Sequence, residues 1–483
     1  MSNGIRDLEP KLLFRHFANL IAIPRGSGNE AAAREYVLSF AREHGLDSRT
    51  DAVGNVVVVV PATPGHENAP GVVLQGHLDI VCEKNSDVVH DFLRDPVDAY
   101  IDGDRIRARG TTLGADNGVG VSAGLALAED QDAVHGPLEI LCTIDEETGM
   151  TGAFGLKADL LKGRTMLNLD SEDEGTLFIG CAGGGDTVVH VPVTRVDVPA
   201  GAVGFTVKVS GLKGGHSGLD IPRNRGNAIK VLARALEAGA GGTDGAGVAC
   251  LEGGSKRNAI PREASACVWV PADRAAAFPA RVAALADRVR FELGKADPGL
   301  AIAVGPIPCD AKPVAQSRAI LDLLLALPHG PIVMSQDIVG LVETSTNVGI
   351  VALSDAECTV TCLSRSSVGP AMDTVRESIA AAARLAGGTA DLVNSYPGWR
   401  PDVDSPVLKI CREVWQQVAG REAEVTAIHA GLECGVIGEN VPGMDMISLG
   451  PDMKNVHSPD EYLSIASTAR FHAYLKAILA RLA

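Results

Sequence analysis

The stretch Val72-Val73-Leu74-Gln75-Gly76-His77-Leu78-Asp79 passes from an apolar run into an imidazole and a carboxylate two positions apart. Such a run reads as a buried strand, and residues i and i+2 at its carboxyl end share a face, where open α/β sheets keep their active sites. That suits a metal ligand, His77, with an orienting carboxylate, Asp79. Similar junctions recur at Gly114-Ala115-Asp116-Asn117-Gly118-Val119-Gly120, at Thr143-Ile144-Asp145-Glu146-Glu147-Thr148-Gly149, and at Asp170 after Thr165-Met166-Leu167-Asn168-Leu169. His457, in Asn455-Val456-His457-Ser458-Pro459-Asp460-Glu461, completes the set. Alone, a His-x-Asp is ordinarily a loop hydrogen-bond pair, and a Glu-Glu pair is ordinarily solvated surface. Their repetition past apolar runs points to a site for zinc or a similar divalent ion.

The elements that must carry these residues fall into three stretches. Through residue 186, apolar strands at 56–60, 72–74, 138–143 and 165–169 alternate with helical segments at 30–43 and 119–129, the pattern of an α/β sheet. From 187 to 396, extended segments at 204–209, 264–270, 346–353 and 357–363 mix with helices at 227–237, 274–293 and 373–385, an α+β pattern. From 397 to 483, alternation returns, and this stretch carries His457. Strand-rich segments on either side of residue 300 suggest that the middle stretch is a duplicated α+β unit.

A chain of 483 residues exceeds what one core serves. With 60 acidic against 43 basic residues and a formal net charge of -17, the surface repels phosphate, which argues against nucleic-acid and anionic-membrane partners and for a small metabolite. The ten cysteines include no Cys-x-x-Cys pair; Cys358 and Cys362 read as strand packing, and reduced thiols fit a cytoplasmic location. The amino terminus carries no secretion signal. The longest apolar run, Val56 to Val60, is far too short to span a bilayer.

The combination His77-Leu78-Asp79, Gly114–Gly118, Asp145–Gly149, Asn168–Glu172, His429-Ala430-Gly431-Leu432-Glu433-Cys434-Gly435 and Val456-His457-Ser458-Pro459 resembles the co-catalytic zinc peptidase family that includes aminoacylase, glutamate carboxypeptidase, tripeptidase T and the carnosinases. The resemblance spans nearly the whole chain. It implies an α/β dinuclear-metal catalytic domain in two parts, 1–186 and 397–483, with an α+β lid and dimerisation domain, 187–396, inserted between them. It implies two divalent ions, zinc or alternatively manganese or cobalt. Asp116 would bridge them, His77 and Asp170 would complete one shell, and Glu147 and His457 the other. Asp79 would fix the tautomer of His77, and Glu146 would act as general base. The peptide between Asp116 and Asn117 is expected to be cis, with Gly118 and Gly120 serving a close turn into the next helix.

For the substrate, the resemblance implies that His216, in Gly214-Gly215-His216-Ser217-Gly218, hydrogen-bonds the developing oxyanion, reaching a neighbouring subunit in a homodimer. Asn258 and Arg365 are candidates for the substrate carboxylate, which arginine grips bidentately. Gly431 and the residues after it could add backbone N–H groups at a helix start. Aspartate at 170 accompanies recognition of a free amine and favours a dipeptidase, with Xaa-His (carnosine-like) dipeptides as the expected substrates. The alternatives are an N-acyl amino acid deacylase, a broader aminopeptidase or tripeptidase, and a noncatalytic scaffold, against which the intact Glu146 argues.

Overall fold

The computed structural model describes residues 4–241, 246–307 and 311–483. It divides into two compact units, one comprising residues through Gly180 together with Trp399–Ala427 and Leu432–Ala483, the other comprising Cys181–Gly398 and Ile428–Gly431. The short segment Ile428–Gly431 therefore groups with the inserted stretch, and Gly431 with it.

The first unit is built on an eight-stranded sheet in the order Asp47–Thr50, Val56–Val60, Leu138–Thr143, Val72–His77, Thr165–Asn168, Asp445–Ser448, Thr176–Cys181 and Glu424–Ile428. Val72–His77 runs parallel to both neighbours, and every one of its residues is buried, as expected for a strand covered on two faces. The chain leaves the carboxyl ends of Val72–His77, Leu138–Thr143 and Thr165–Asn168 at His77, Asp145 and Asp170, which brings distant chemistry-bearing residues to one sheet end. Helix Ala115–Glu129 is buried around nearly its whole circumference, which is why its sequence shows little amphipathic pattern.

Its first turn is interrupted. Asp116 and Asn117 leave helical geometry, and the peptide between them is cis. Neither Gly118 nor Gly120 adopts positive φ, so the expected turn role gives way to a demand for space. A Cβ on Gly118 would lie 2.4 Å from the Arg25 guanidinium, and one on Gly120 would lie 2.6 Å from the Leu169 carbonyl oxygen.

The second unit holds a nine-stranded sheet whose main path runs Ala301–Pro306, Val203–Ser210, Ala264–Val270, Gly247–Gly253, Val342–Leu353, Glu357–Ser366, Gly183–Pro192 and Thr389–Tyr396, with Gly330–Met334 beside Val342–Leu353. One four-strand half is strand 203–210, helix Ala228–Ala240, strands 247–253 and 264–270, helix Phe278–Leu293 and strand 301–306. The other is strand 183–192, helix Ser317–Ala326, strands 342–353 and 357–366, helix Gly369–Leu385 and strand 389–396. Each half has its strands in spatial order 4-1-3-2. The repeat is thus nested: the first half is inserted after the opening strand of the second, rather than flanking residue 300 in tandem. The halves join antiparallel through Glu252 opposite Ala352 and Gly253 opposite Val351. Side chains from all four helices share one apolar core with the sheet.

Candidate active site

In the first unit, His77 ends its strand fully buried. Its Nε2 lies 2.9 Å from Asp116 Oδ1 and 3.3 Å from Asp170 Oδ1. Asp116 turns its other oxygen, Oδ2, to His457 Nε2 at 3.1 Å, and that nitrogen also lies 3.0 Å from Glu147 Oε2. Two triads, His77-Asp116-Asp170 and Asp116-Glu147-His457, have ligand atoms close enough to hold one ion each, and Asp116 is common to both. The ligand atoms of His77, Glu146 and Glu147 also lie within 4.8 Å of one another, so Glu146 stands next to the paired triads.

The donor set fits divalent cations. Asp170 Oδ1 is buried without a hydrogen-bond partner among the described residues. Burial pushes the Asp170 carboxyl well above the usual range, and Asp116 adds to the rise despite His77. Hydrogen bonds to Asp116 and Glu147 raise the His457 imidazole to about 11. Asp116 goes the other way: burial would raise it, but hydrogen bonds from His457 and His77 hold it well below the carboxylate range. So many carboxyl groups served by two imidazoles are short of positive charge, which divalent ions would supply.

Asp79 does more than orient an imidazole. It is fully buried, with Oδ1 3.4 Å from His77 Nδ1. Its Oδ1 also accepts the Glu146 backbone N–H at 3.0 Å and its Oδ2 the Glu147 N–H at 3.1 Å, while Ser27 donates to Oδ2 at 2.8 Å. One carboxylate thereby fixes His77 and the start of helix Glu146–Gly149. Burial alone would raise it, yet these hydrogen bonds, His77 foremost, bring it to about 2. Glu146 is pushed well above its ordinary value, chiefly by burial, the condition that makes a carboxylate a competent base near neutral pH.

Three supporting residues escaped the sequence reading. The Glu461 carboxylate accepts the backbone N–H groups of Leu113, Gly114 and Ala115 at 2.7, 3.1 and 2.8 Å, anchoring the loop that delivers Asp116. Buried Arg25 donates to the carbonyls of Leu78 at 2.7 Å and Gly114 at 2.6 Å. Glu433 accepts from Gln75 at 2.6 Å and Thr143 at 2.7 Å, and burial lifts it to about 7. Glu461 lies in the His457 segment and Glu433 in the Gly431 segment, so their positions were marked; Arg25, in a loop after the first helix, carried no signal.

The second unit holds another polar cluster. Arg365, almost fully buried, donates from Nη1 to the Tyr396 hydroxyl at 2.8 Å and from Nε to Ser217 Oγ at 3.4 Å, and its Nη2 stands 3.4 Å from His216 Nε2. No carboxylate among the described residues pairs with it. His216 Nδ1 accepts the backbone N–H groups of Gly218 at 3.3 Å and Leu219 at 3.1 Å, while burial and then Arg365 depress the imidazole to about 4. A neutral ring accepting at Nδ1 carries its proton on Nε2. His216 and Arg365 thus present two donors side by side, an arrangement that calls for an anionic oxygen. His429 Nε2 lies 2.7 Å from Ser345 Oγ, and burial drives this imidazole down to about 3. Gly431 packs against the Tyr396 ring, which a Cβ would approach to 3.0 Å. Asn258 is exposed; its carbonyl oxygen accepts from the Ser217 N–H at 2.9 Å, and no side-chain hydrogen bond links it to Arg365.

This sheet, with imidazole and carboxylate groups gathered where its parallel strands end, is the framework of a metallopeptidase, and the chain belongs to peptidase family M20/M25/M40, whose family model matches residues 73–481. Among its relatives, the cytosol non-specific dipeptidase of Escherichia coli (strain K12) is 42% identical over 477 residues, 98% of either chain. The crystal structure of the aminoacylhistidine dipeptidase from Vibrio alginolyticus is similar over 99% of this chain and 98% of its own, at 42% identity and a TM-score of 0.94. The aminopeptidase PepT of Bacillus cereus, 15% identical with a TM-score of 0.58 over 98% of this chain and 99% of its own, shares the fold.

Proposed function

We propose that this protein is a metal-dependent dipeptidase that hydrolyses dipeptides with a free amine and a free carboxylate, Xaa-His dipeptides among them. The observation that carries the reading is the pair of triads sharing Asp116, with Glu146 beside them. The dipeptidases in the same family, similar over nearly the full chain, support it. His77, Asp116 and Asp170 would hold one ion and Asp116, Glu147 and His457 the other, zinc by preference, although the same donors suit manganese or cobalt. Divalent ions held there would act as Lewis acids on the amide carbonyl and acidify the attacking water.

Glu146 takes a proton from the water and returns it to the departing amine; a half-buried carboxylate of raised basicity suits both transfers. Asp79 keeps His77 in one tautomer and the Glu146 turn in position. Carboxylates around Asp170 meet the substrate amine. In the second unit, Arg365 grips the terminal carboxylate, while His216 donates its Nε2 proton to oxygen that gains negative charge; Asn258 and backbone at Gly431 complete the contacts. A homodimer through the second unit and a cytoplasmic location belong to the same reading. A relative named for the cytosol supports the location, and no helix among the described residues is long and apolar enough to cross a membrane.

The test is chemical trimming of the substrate. With the metal-loaded protein, alanyl-histidine should be cleaved with a kcat/KM at least about a hundredfold above that of its N-acetyl derivative or its C-terminal amide, since either change removes one buried charge pair. Equal cleavage of the N-acetyl compound would replace the dipeptidase with a deacylase. Comparing alanyl-histidine with alanyl-leucine measures how far histidine is preferred.

A further inference from the structure

Strand register explains how the Arg365 guanidinium is held. Tyr396 lies opposite Gly184, Gly184 opposite Arg365, and Arg365 opposite Ser345. These four residues form one row across four adjacent strands, and residues directly opposite one another share a face of the sheet. Within that row, Gly184 supplies no side chain. A Cβ there would come within 2.6 Å of the Tyr396 ring and its hydroxyl oxygen, so the phenol lies across the vacant position to reach Arg365. Gly431 walls the ring elsewhere, at 3.0 Å from a Cβ built on it. The row thus contains a socket shaped by two glycines around one phenol.

We propose that Tyr396, seated in the gap left by Gly184, is the positioning residue that aims Arg365 at the substrate's terminal carboxylate, and so sets how strongly the enzyme prefers a free C-terminus. The inference rests on the reading that Arg365 takes that carboxylate. A guanidinium is planar, and its donors serve an anion only when the plane is held in one orientation. Ser217 holds Nε and Tyr396 holds Nη1, both through neutral oxygens that leave the positive charge uncompensated. Nη2, 3.4 Å from His216 Nε2, is left as the donor for the carboxylate. Without the phenol oxygen the guanidinium can rotate, and the penalty falls on binding a carboxylate, with no direct effect on the hydrolytic residues of the first unit.

The experiment compares alanyl-histidine with its C-terminal amide on the metal-loaded enzyme. Tyr396→Phe keeps the ring and deletes the oxygen. It should raise KM for the dipeptide about tenfold, the effect of losing one hydrogen bond to a charged group, with kcat and the kinetics of the amide little changed. Preference for the free carboxylate then falls about tenfold. Gly184→Ala, which displaces the ring, should lower the same preference while the hydroxyl is still present in the chain. A residue of merely structural importance would instead depress turnover of both substrates together and lower the melting temperature. That outcome, or an unchanged preference in Tyr396→Phe, overturns the proposal. Arg365→Lys separates the two levels of the argument. If it abolishes the preference while Tyr396→Phe does not, the positioning role alone falls; if it leaves the preference intact, the assignment of Arg365 to the carboxylate falls, and this inference with it.

Discussion

Asp79 shows how much one side chain can organise. Its two oxygens serve an imidazole, a hydroxyl and two backbone N–H groups, so it links the strand bearing His77 to the turn bearing Glu146. The sequence reading expected only the link to His77, because an i, i+2 relation is visible along one strand whereas an N–H some seventy residues away is not. His216 and His429 lead to a prediction about pH. Both imidazoles are neutral, His216 half-buried and His429 buried, depressed from 6.5 to about 4 and about 3, with burial the first cause and Arg365 next. Above pH 6.5 both are neutral in the folded and unfolded chains alike and contribute nothing to the pH dependence. As pH falls below 6.5, the unfolded chain takes up protons that the folded one refuses, so stability drops until about pH 3. His429→Gln removes one of these groups, and the fall in melting temperature between pH 6.5 and 4 should become shallower. An identical slope would show that His429 is protonated in the folded protein.

At the level of elements, loops are delivered by anchors that the sequence barely advertises. The segment from Leu113 to Asp116 is held by Glu461, whose carboxylate accepts four backbone N–H groups, that of Asp116 among them. Glu461→Ala should therefore cost roughly 2–3 kcal/mol in stability and reduce bound metal along with turnover. Glu461→Gln, which keeps an acceptor, should lose less. Unfolding titrations together with metal analysis check this, and full metal content in Glu461→Ala would mean that the loop holds its shape unaided. Apolar runs such as Val56–Val60 and Leu138–Thr143 were legible as strands because burial on both faces leaves no alternation to disguise them. Helix Ala115–Glu129 was read only from Val119, since its opening turn is broken at Asp116 and Asn117. Helix 274–293 appears as two, Ala272–Ala275 and Phe278–Leu293, with Pro279 in the first turn of the second, a break that the proline marks and the sequence reading ran through.

For the whole molecule, the resemblance implied an inserted middle stretch and said nothing of how it is built. A tandem repeat leaves two adjacent self-similar segments, whereas a nested repeat places one half's first strand before the other half's entire length. Strand Gly183–Pro192 pairs with Glu357–Ser366 and Thr389–Tyr396, partners that no local pattern identifies. The same limit hid Tyr396, which matters through register with Gly184 and Arg365 alone. His77, Glu147 and Asp170 were legible as candidate ligands because they follow apolar runs, where a charged group is conspicuous, whereas Asp116 and His457 stand in polar loops. The ambiguity left among them is Glu146, which belongs geometrically to a possible ligand set with His77 and Glu147 and is proposed as the base. Measuring bound metal and turnover together in Glu146→Gln addresses the central claim most directly. The account predicts that two equivalents of metal remain while kcat falls by about a hundredfold or more, the loss expected for a general base; disappearance of one equivalent, or turnover close to that of the unmodified protein, would contradict it.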